Sequence, residues 1–219
     1  MRVIVTCGPS YEPVDEVRRL TNFSTGELGT MLAGALVRAG FETICLRGVA
    51  ATWPKRPPGA DVRPFTTNDD LAAQLRQLGQ EEPCAAFFHT AALADYRVTS
   101  IHNLQGERLT RRKTPTDLGP LTLRLEPASK ILPQLRGWFP GAALVGWKYE
   151  VEGVRSQAAA RAGRQIAECH TDACVLNGPT YGPGFGLLTP QGHVTHYATK
   201  TLLCHYLARV FLLKFIAKK

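Results

Sequence analysis

The chain has 219 residues, 44% hydrophobic and 20% charged, a balance that supports a sizeable folded core and argues against disorder. No run reaches the roughly 18 consecutive apolar residues that a membrane-spanning helix needs. The formal charge is +8, but the basic residues are scattered and not interleaved with aromatics, which argues against a nucleic-acid surface and favours a small polyanion such as a nucleoside triphosphate.

Met1 to Cys7 is too short an apolar run for a secretory leader, and Val3–Cys7 is read as the first buried strand. A Gly8-Pro9-Ser10-Tyr11-Glu12-Pro13 loop follows. Asn22-Phe23-Ser24-Thr25-Gly26 then leads into a helix predicted over Thr25–Ala39, in which Leu28, Met31, Leu32, Ala35 and Leu36 share one face and Gly40 supplies the stop. A carboxamide, two hydroxyls and unpaired first-turn N–H groups together suit an anion. Next come a strand at Thr43–Leu46, a helix at Asp69–Leu78 with Asn68 as its N-cap, and a strand at Ala85–Thr90. Residues 97–126 carry the dense basic run Arg108-Leu-Thr-Arg111-Arg112-Lys113 and the alternating Leu121-Thr-Leu-Arg-Leu125. They predict a two-stranded arm, a flap over about 98–126. Beyond it lie a helix at Ala128–Trp138, a strand at Ala142–Gly146, a helix at Val154–Cys169 and a strand at Ala173–Leu176. A loop and hairpin at 178–197 and an amphipathic helix from Thr199 to about Ile216 complete the chain.

The alternation predicts an α/β fold: a Rossmann-like open, mostly parallel sheet with helices on both faces, a projecting β flap, and one domain over residues 1–219. Ligands of such sheets lie beyond the carboxyl ends of the strands. Those ends carry Gly8-Pro9-Ser10, His89-Thr90-Ala91-Ala92, Gly146-Trp147-Lys148 and Asn177-Gly178. No Gly-x-Gly-x-x-Gly follows the first strand, which counts against an NAD(P)-dependent Rossmann reductase, and no Walker motif is present. Cys7, Cys45, Cys84, Cys169, Cys174 and Cys204 include no Cys-x-x-Cys pair. They read as small buried side chains of a cytoplasmic protein, with no zinc site.

Five blocks carry a resemblance. Thr6-x-Gly8-x-x-x-Glu12-Pro13-x-Asp15-x-Val17-Arg18 with Thr21-Asn22-x-Ser24-x-Gly26-x-x-Gly29 is the first, and Ala91-Ala92-Leu93-Ala94-Asp95-Tyr96-Arg97 the second. Lys113-Thr-Pro-Thr, Val145-Gly146-Trp147-Lys148-Tyr149-Glu150 and Asp172 to Asn177 follow in order. Together they resemble the phosphopantothenoylcysteine synthetase family, the phosphopantothenate–cysteine ligases of coenzyme A biosynthesis. The resemblance implies a cytoplasmic homodimer whose second subunit contributes to the site. Its substrates would be 4′-phosphopantothenate, cysteine and a nucleoside triphosphate, CTP in bacteria or ATP in eukaryotes, with Mg²⁺. It further implies a stand-alone synthetase, since bacterial members are often fused to a flavin-dependent decarboxylase.

By the same resemblance Asn22 acts on the acyl-nucleotide intermediate, where a carboxamide donor can stabilise an oxyanion. Lys113 is the flap lysine that offsets triphosphate charge. Gly8, Ser10, Ser24, Thr25, Gly26, Ala92, Asp95, Trp147, Lys148 and Asn177 belong to the nucleotide- and phosphate-binding surface, with Asp95 also the metal-side acid. Each has a plainer reading: Asn22 as a turn or cap residue, Asp95 as half of an ion pair, Lys113 as part of a solvated loop. Trp147 and His89 would likewise be core residues. The chain departs from the family at Thr114, where Ile is usual. Trp147-Lys148-Tyr149 also departs, with Lys148 nearer the eukaryotic pattern, so the block leaves CTP against ATP open. A non-catalytic nucleotide-binding relative is a third reading.

Overall fold

The computed structural model describes residues 1–110 and 112–213. Its centre is β1 (Arg2–Cys7), buried along its whole length and paired in parallel with β4 (Glu42–Gly48) on one side and β6 (Cys84–His89) on the other. β5 (Asp61–Phe65) adds to β4, while β10 (Ala143–Tyr149) and β11 (Ala173–Asn177) extend the sheet beyond β6, all in parallel. An antiparallel hairpin, β12 (Phe185–Leu188) and β13 (Val194–Tyr197), completes eight strands in the order β13-β12-β11-β10-β6-β1-β4-β5.

Period-2 alternation on buried strands assigns the two faces. Val3, Val5 and Cys7 of β1, with Ala86, Phe88 and Val145, pack beneath α1 (Glu27–Arg38) and α5 (Lys200–Tyr206). Ile4, with Ile44, Leu46 and Phe87, faces α2 (Asn68–Gln80) and the short α3 (Leu135–Trp138). α4 (Arg155–Cys169) covers Cys174, Leu176 and Leu188. The sheet is therefore open, mostly parallel and clad on both faces, as the alternation of elements predicted. The six parallel strands take the doubly wound order, and its reversal falls between β1 and β6, where such sheets hold ligands.

Several local expectations change. The Gly8–Pro13 loop leads into a small hairpin, β2 (Tyr11–Pro13) with β3 (Arg19–Thr21). The arm has three strands rather than two: β7 (Tyr96–His102) lies between β8 (Arg108–Leu109) and β9 (Thr122–Pro127). Thr67, not Asn68, caps α2. Its hydroxyl accepts the Asp70 N–H at 3.2 Å, while Asn68 is buried and donates to the Ala94 carbonyl at 2.8 Å. The helix predicted over Ala128–Trp138 is only a 3₁₀ turn at Leu132–Gln134 running into α3. Pro133 offers no N–H and disfavours helical geometry before it, and the Ala128 N–H is spent on Asp95 O. α5 passes into a π-helical turn at Leu207–Phe211, and the predicted end near Ile216 lies outside the described residues. β5 lacked a sequence signal because it is a half-exposed edge strand containing Pro64. All six cysteines are buried free thiols. Among the described residues no helix is long and apolar enough to cross a membrane.

Candidate active site

At the reversal point the β1 and β6 chains stay paired past their formal ends. The Thr90 N–H donates to Thr6 O at 3.1 Å, Ala92 N–H to Gly8 O at 3.0 Å and Ser10 N–H to Ala92 O at 3.2 Å. The floor of the crevice is therefore backbone. Ser10 lies within that floor, fully buried, with Oγ accepting the Ala94 N–H at 2.8 Å, so it sets the course of residues 92–94 from beneath. His89 sits lower still, its Nδ1 2.8 Å from the Thr6 hydroxyl. Burial pushes its pKa down to about 4, so the imidazole is neutral near pH 7, the core role anticipated for it.

Three glycines from two separated stretches of the sequence come together where β1 meets α1. Gly8, at φ 77°, makes the turn off β1, and Gly26, at φ 79°, is the N-cap of α1 with no side-chain cap. A Cβ on Gly26 would lie 3.3 Å from the Gly8 Cα, and a Cβ on Gly29 would overlap the Cys7 Cβ and Thr90 Oγ1. A glycine for the turn off the strand and one for helix–strand contact are two of the three roles of a dinucleotide loop; the third, open backbone facing a pyrophosphate, is not filled by Gly26. Here the β2–β3 hairpin is inserted between Gly8 and Gly26. The space over Gly8 and Gly26 is taken by Ala51, whose Cβ would stand 2.7 Å and 3.0 Å from theirs, so both are required by packing within the chain. What α1 offers outward is its first turn, with exposed Thr25 and half-buried Ser24 beside it. Glu27, which would repel an anion there, is ion-paired with Lys200.

Asn22 leaves the hairpin at the mouth of the crevice. Its Nδ2 donates to the carbonyls of Ala92 at 3.2 Å and Leu93 at 3.0 Å, so the carboxamide bridges the first two motif blocks, 70 and 71 residues apart. Asp95, at the end of the same block, is exposed and ion-paired with Lys130, a partner that no motif indicated. Lys113 is exposed in the flap, between Arg112 and Thr114, both of which bond to the loop joining β2 and β3. Trp147, Lys148 and Asn177 lie at the ends of β10 and β11, further along the same edge of the sheet. Strand alternation separates the first two. Trp147 packs on the α1 and α5 side with its indole N–H buried and unpaired, while Lys148 pairs at 3.7 Å with Glu150, which Arg161 of α4 also holds. The fold thus sets Asn22 against Ala92 and Leu93, with Ser24 and Thr25 following it at the entry to α1 and Asp95 closing the second block, and sets Lys148 in an ion-pair chain.

Among the described residues no three His, Cys, Asp or Glu side chains converge on a metal position, and Asp95 is already neutralised by Lys130.

The chain matches the model of the DNA/pantothenate metabolism flavoprotein C-terminal domain over residues 1–203. It is 28% identical over 186 residues to the coenzyme A biosynthesis bifunctional protein CoaBC of Bacillus subtilis, covering 84% of this chain and 42% of that protein. Against the CoaBC protein of Thermococcus kodakarensis it is 28% identical over 176 residues, covering 80% and 41%. The chain spans less than half the length of these curated relatives. The same fold is seen in the DNA/pantothenate metabolism flavoprotein of Streptococcus pneumoniae, with TM-score 0.82, 23% identity and complete coverage of both chains. A Cab2 mutant in complex with phosphopantothenate-cysteine has TM-score 0.77 at 19% identity, with 99% of this chain and 88% of that one covered. With its fold, its ordered motif blocks and a family match over nearly its whole length, this chain belongs to the DNA/pantothenate metabolism flavoprotein C-terminal domain family.

Proposed function

We propose that this chain condenses 4′-phosphopantothenate with cysteine. The substrate carboxylate attacks the α-phosphate of CTP or ATP and releases pyrophosphate. The cysteine amine then displaces the nucleoside monophosphate from the acyl-nucleotide and loses a proton as the amide forms. The observation that carries this reading is the position of Asn22, tied by its carboxamide to Ala92 and Leu93 at the point where the strand order reverses. Both of its N–H donors rest on neutral carbonyls. A tetrahedral oxyanion accepts more strongly than a neutral carbonyl, so it draws that NH₂ group away as negative charge develops. Ser24, Thr25 and the first turn of α1 receive phosphate, Lys113 answers triphosphate charge from the flap, and the ends of β10 and β11 take the nucleotide. Mg²⁺ enters as part of the nucleotide substrate. The protein works in the cytoplasm as a homodimer. The exposed Leu20 and Phe23, either side of Thr21 and Asn22, support that arrangement, because they are apolar side chains beside Asn22 that a second subunit would cover.

Pyrophosphate release measured with CTP and with ATP, with and without phosphopantothenate and cysteine, tests the reading. Substrate-dependent release with one nucleotide is expected; none with either would overturn it. Asn22→Asp should slow the cysteine step by about 10²-fold or more while leaving intermediate formation nearly intact. Equal loss in both steps would refute the oxyanion role. The doubly wound strand order also suits a dinucleotide, and a fluorescence titration with NADPH that shows no binding disposes of the reductase alternative.

A further inference from the structure

Lys113 lies in a part of the flap that the flap's own sheet does not reach. β8 ends at Leu109 and β9 begins at Thr122. Between them, the described contacts that anchor the stretch around Lys113 run to the tip of the β2–β3 hairpin. The Glu16 N–H donates to Arg112 O at 3.0 Å, and the Arg112 Nε–H donates to Glu16 Oε1 at 2.6 Å. On the other side of Lys113, the Thr114 N–H donates to Asp15 Oδ2 at 3.2 Å and the Arg18 guanidinium donates to Thr114 O. The Asp15 side chain is only 1% exposed. Its Oδ1 accepts the N–H groups of Val17 at 3.0 Å and Arg18 at 2.8 Å, so it shapes the hairpin tip and grips the flap at once. Those N–H donors, Val17 first, hold its carboxyl below the usual carboxylate range, which keeps it ionised at neutral pH.

We infer that the hairpin tip is a latch for the flap, and that Asp15 and Glu16 are positioning residues that fix the stem of Lys113. The peptide groups on both sides of Lys113 are held, so its Cα has a set place, while its ammonium is exposed and makes no contact within the described chain. The opposite end of the same hairpin carries Asn22, and Thr21 Oγ1 donates to Ser10 O at 2.8 Å to root it in the crevice floor. Three paired residues separate root from tip, about 10 Å at the usual rise of a strand. One rigid hairpin therefore sets the spacing between the lysine that faces the leaving pyrophosphate and the amide that faces the acyl group. The role given to Lys113 rests on the proposed ligase reaction; the latch itself does not.

The test pairs hydrogen exchange with kinetics on the full chain. Glu16→Arg and Arg112→Glu, made singly, should each raise amide exchange in a peptide covering 110–116 by roughly two- to fivefold, and slow substrate-dependent pyrophosphate release by a similar factor. The double exchange of charges should restore both. Asp15→Asn, which keeps the side-chain shape, should loosen the same peptide without changing exchange in β1. Unchanged flap exchange in the single variants, failure of the double variant to restore it, or loosening without slower pyrophosphate release would each overturn the inference. A wild-type protein that releases no pyrophosphate would remove the ligase reading alone, because the exchange measurements still judge the latch.

Discussion

Thr114 is the residue whose chemistry suits its surroundings least. It is 1% exposed, and its Oγ1 is buried with no partner. A hydroxyl shut away unpaired costs about 1–3 kcal/mol relative to a satisfied one. Valine has nearly the same shape and no hydroxyl. Thr114→Val should raise stability by about 1 kcal/mol, read as a higher denaturant midpoint at unchanged slope. A lower midpoint would mean that the hydroxyl has a partner after all. That this residue departs from the family's usual isoleucine was visible in the chain, and so was its nearness to Lys113. Its burial was not, because that depends on a hairpin nearly 100 residues earlier folding against it. Asn22 was similarly half legible: its residue type and motif were plain, but its two acceptor carbonyls come from the end of another strand.

Among the elements, α1 shows how contact geometry overrides propensity. Its one-sided apolar pattern and its Gly40 stop predicted the helix; Leu32 and Leu36 of that face are buried, Leu28, Met31 and Ala35 are half-buried, and Ala33, outside it, is buried as well. Ala favours a helix over Gly by about 1 kcal/mol, so Gly29→Ala and Gly34→Ala would both be stabilising on propensity alone. The sheet separates them. A Cβ at Gly29 overlaps Cys7 and Thr90, whereas one at Gly34 meets only the Arg38 guanidinium at 3.4 Å and Pro58 at 3.9 Å. In urea unfolding, Gly29→Ala should lose about 1–3 kcal/mol and Gly34→Ala should gain roughly 0.5–1 kcal/mol. Two equal gains would show that α1 can lift from β1. Elements whose pattern was weak were misjudged for identifiable reasons. Pro133 interrupts an otherwise helix-like run before α3, and the two-residue strand β8 is too short to show any period.

At the scale of the whole molecule, the buried His89 couples the sheet to pH. Its pKa is about 4 in the folded chain against 6.5 as the reference, so between those values the unfolded chain binds a proton that the native one refuses. The stabilisation is complete above about pH 6.5. It is lost as pH falls toward 4, by up to about 3 kcal/mol. Denaturation midpoints followed from pH 7 to pH 4 should show this fall, and His89→Gln should flatten it; an unchanged slope in the variant would place the titrating group elsewhere.

The order of apolar runs and helical patterns determined the fold class, because period 2 and period 3.6 are local properties of a chain. The motif blocks, equally local, determined the family. Which ends meet was decided only in three dimensions. Gly8 and Gly26 pack together across an intervening hairpin, Asp95 is ion-paired with Lys130, and the flap is held by Asp15 and Glu16. These pairings join residues 18 to 99 positions apart, and spacing along the chain carries no record of such contacts. Packing of the sheet and its hairpin creates them.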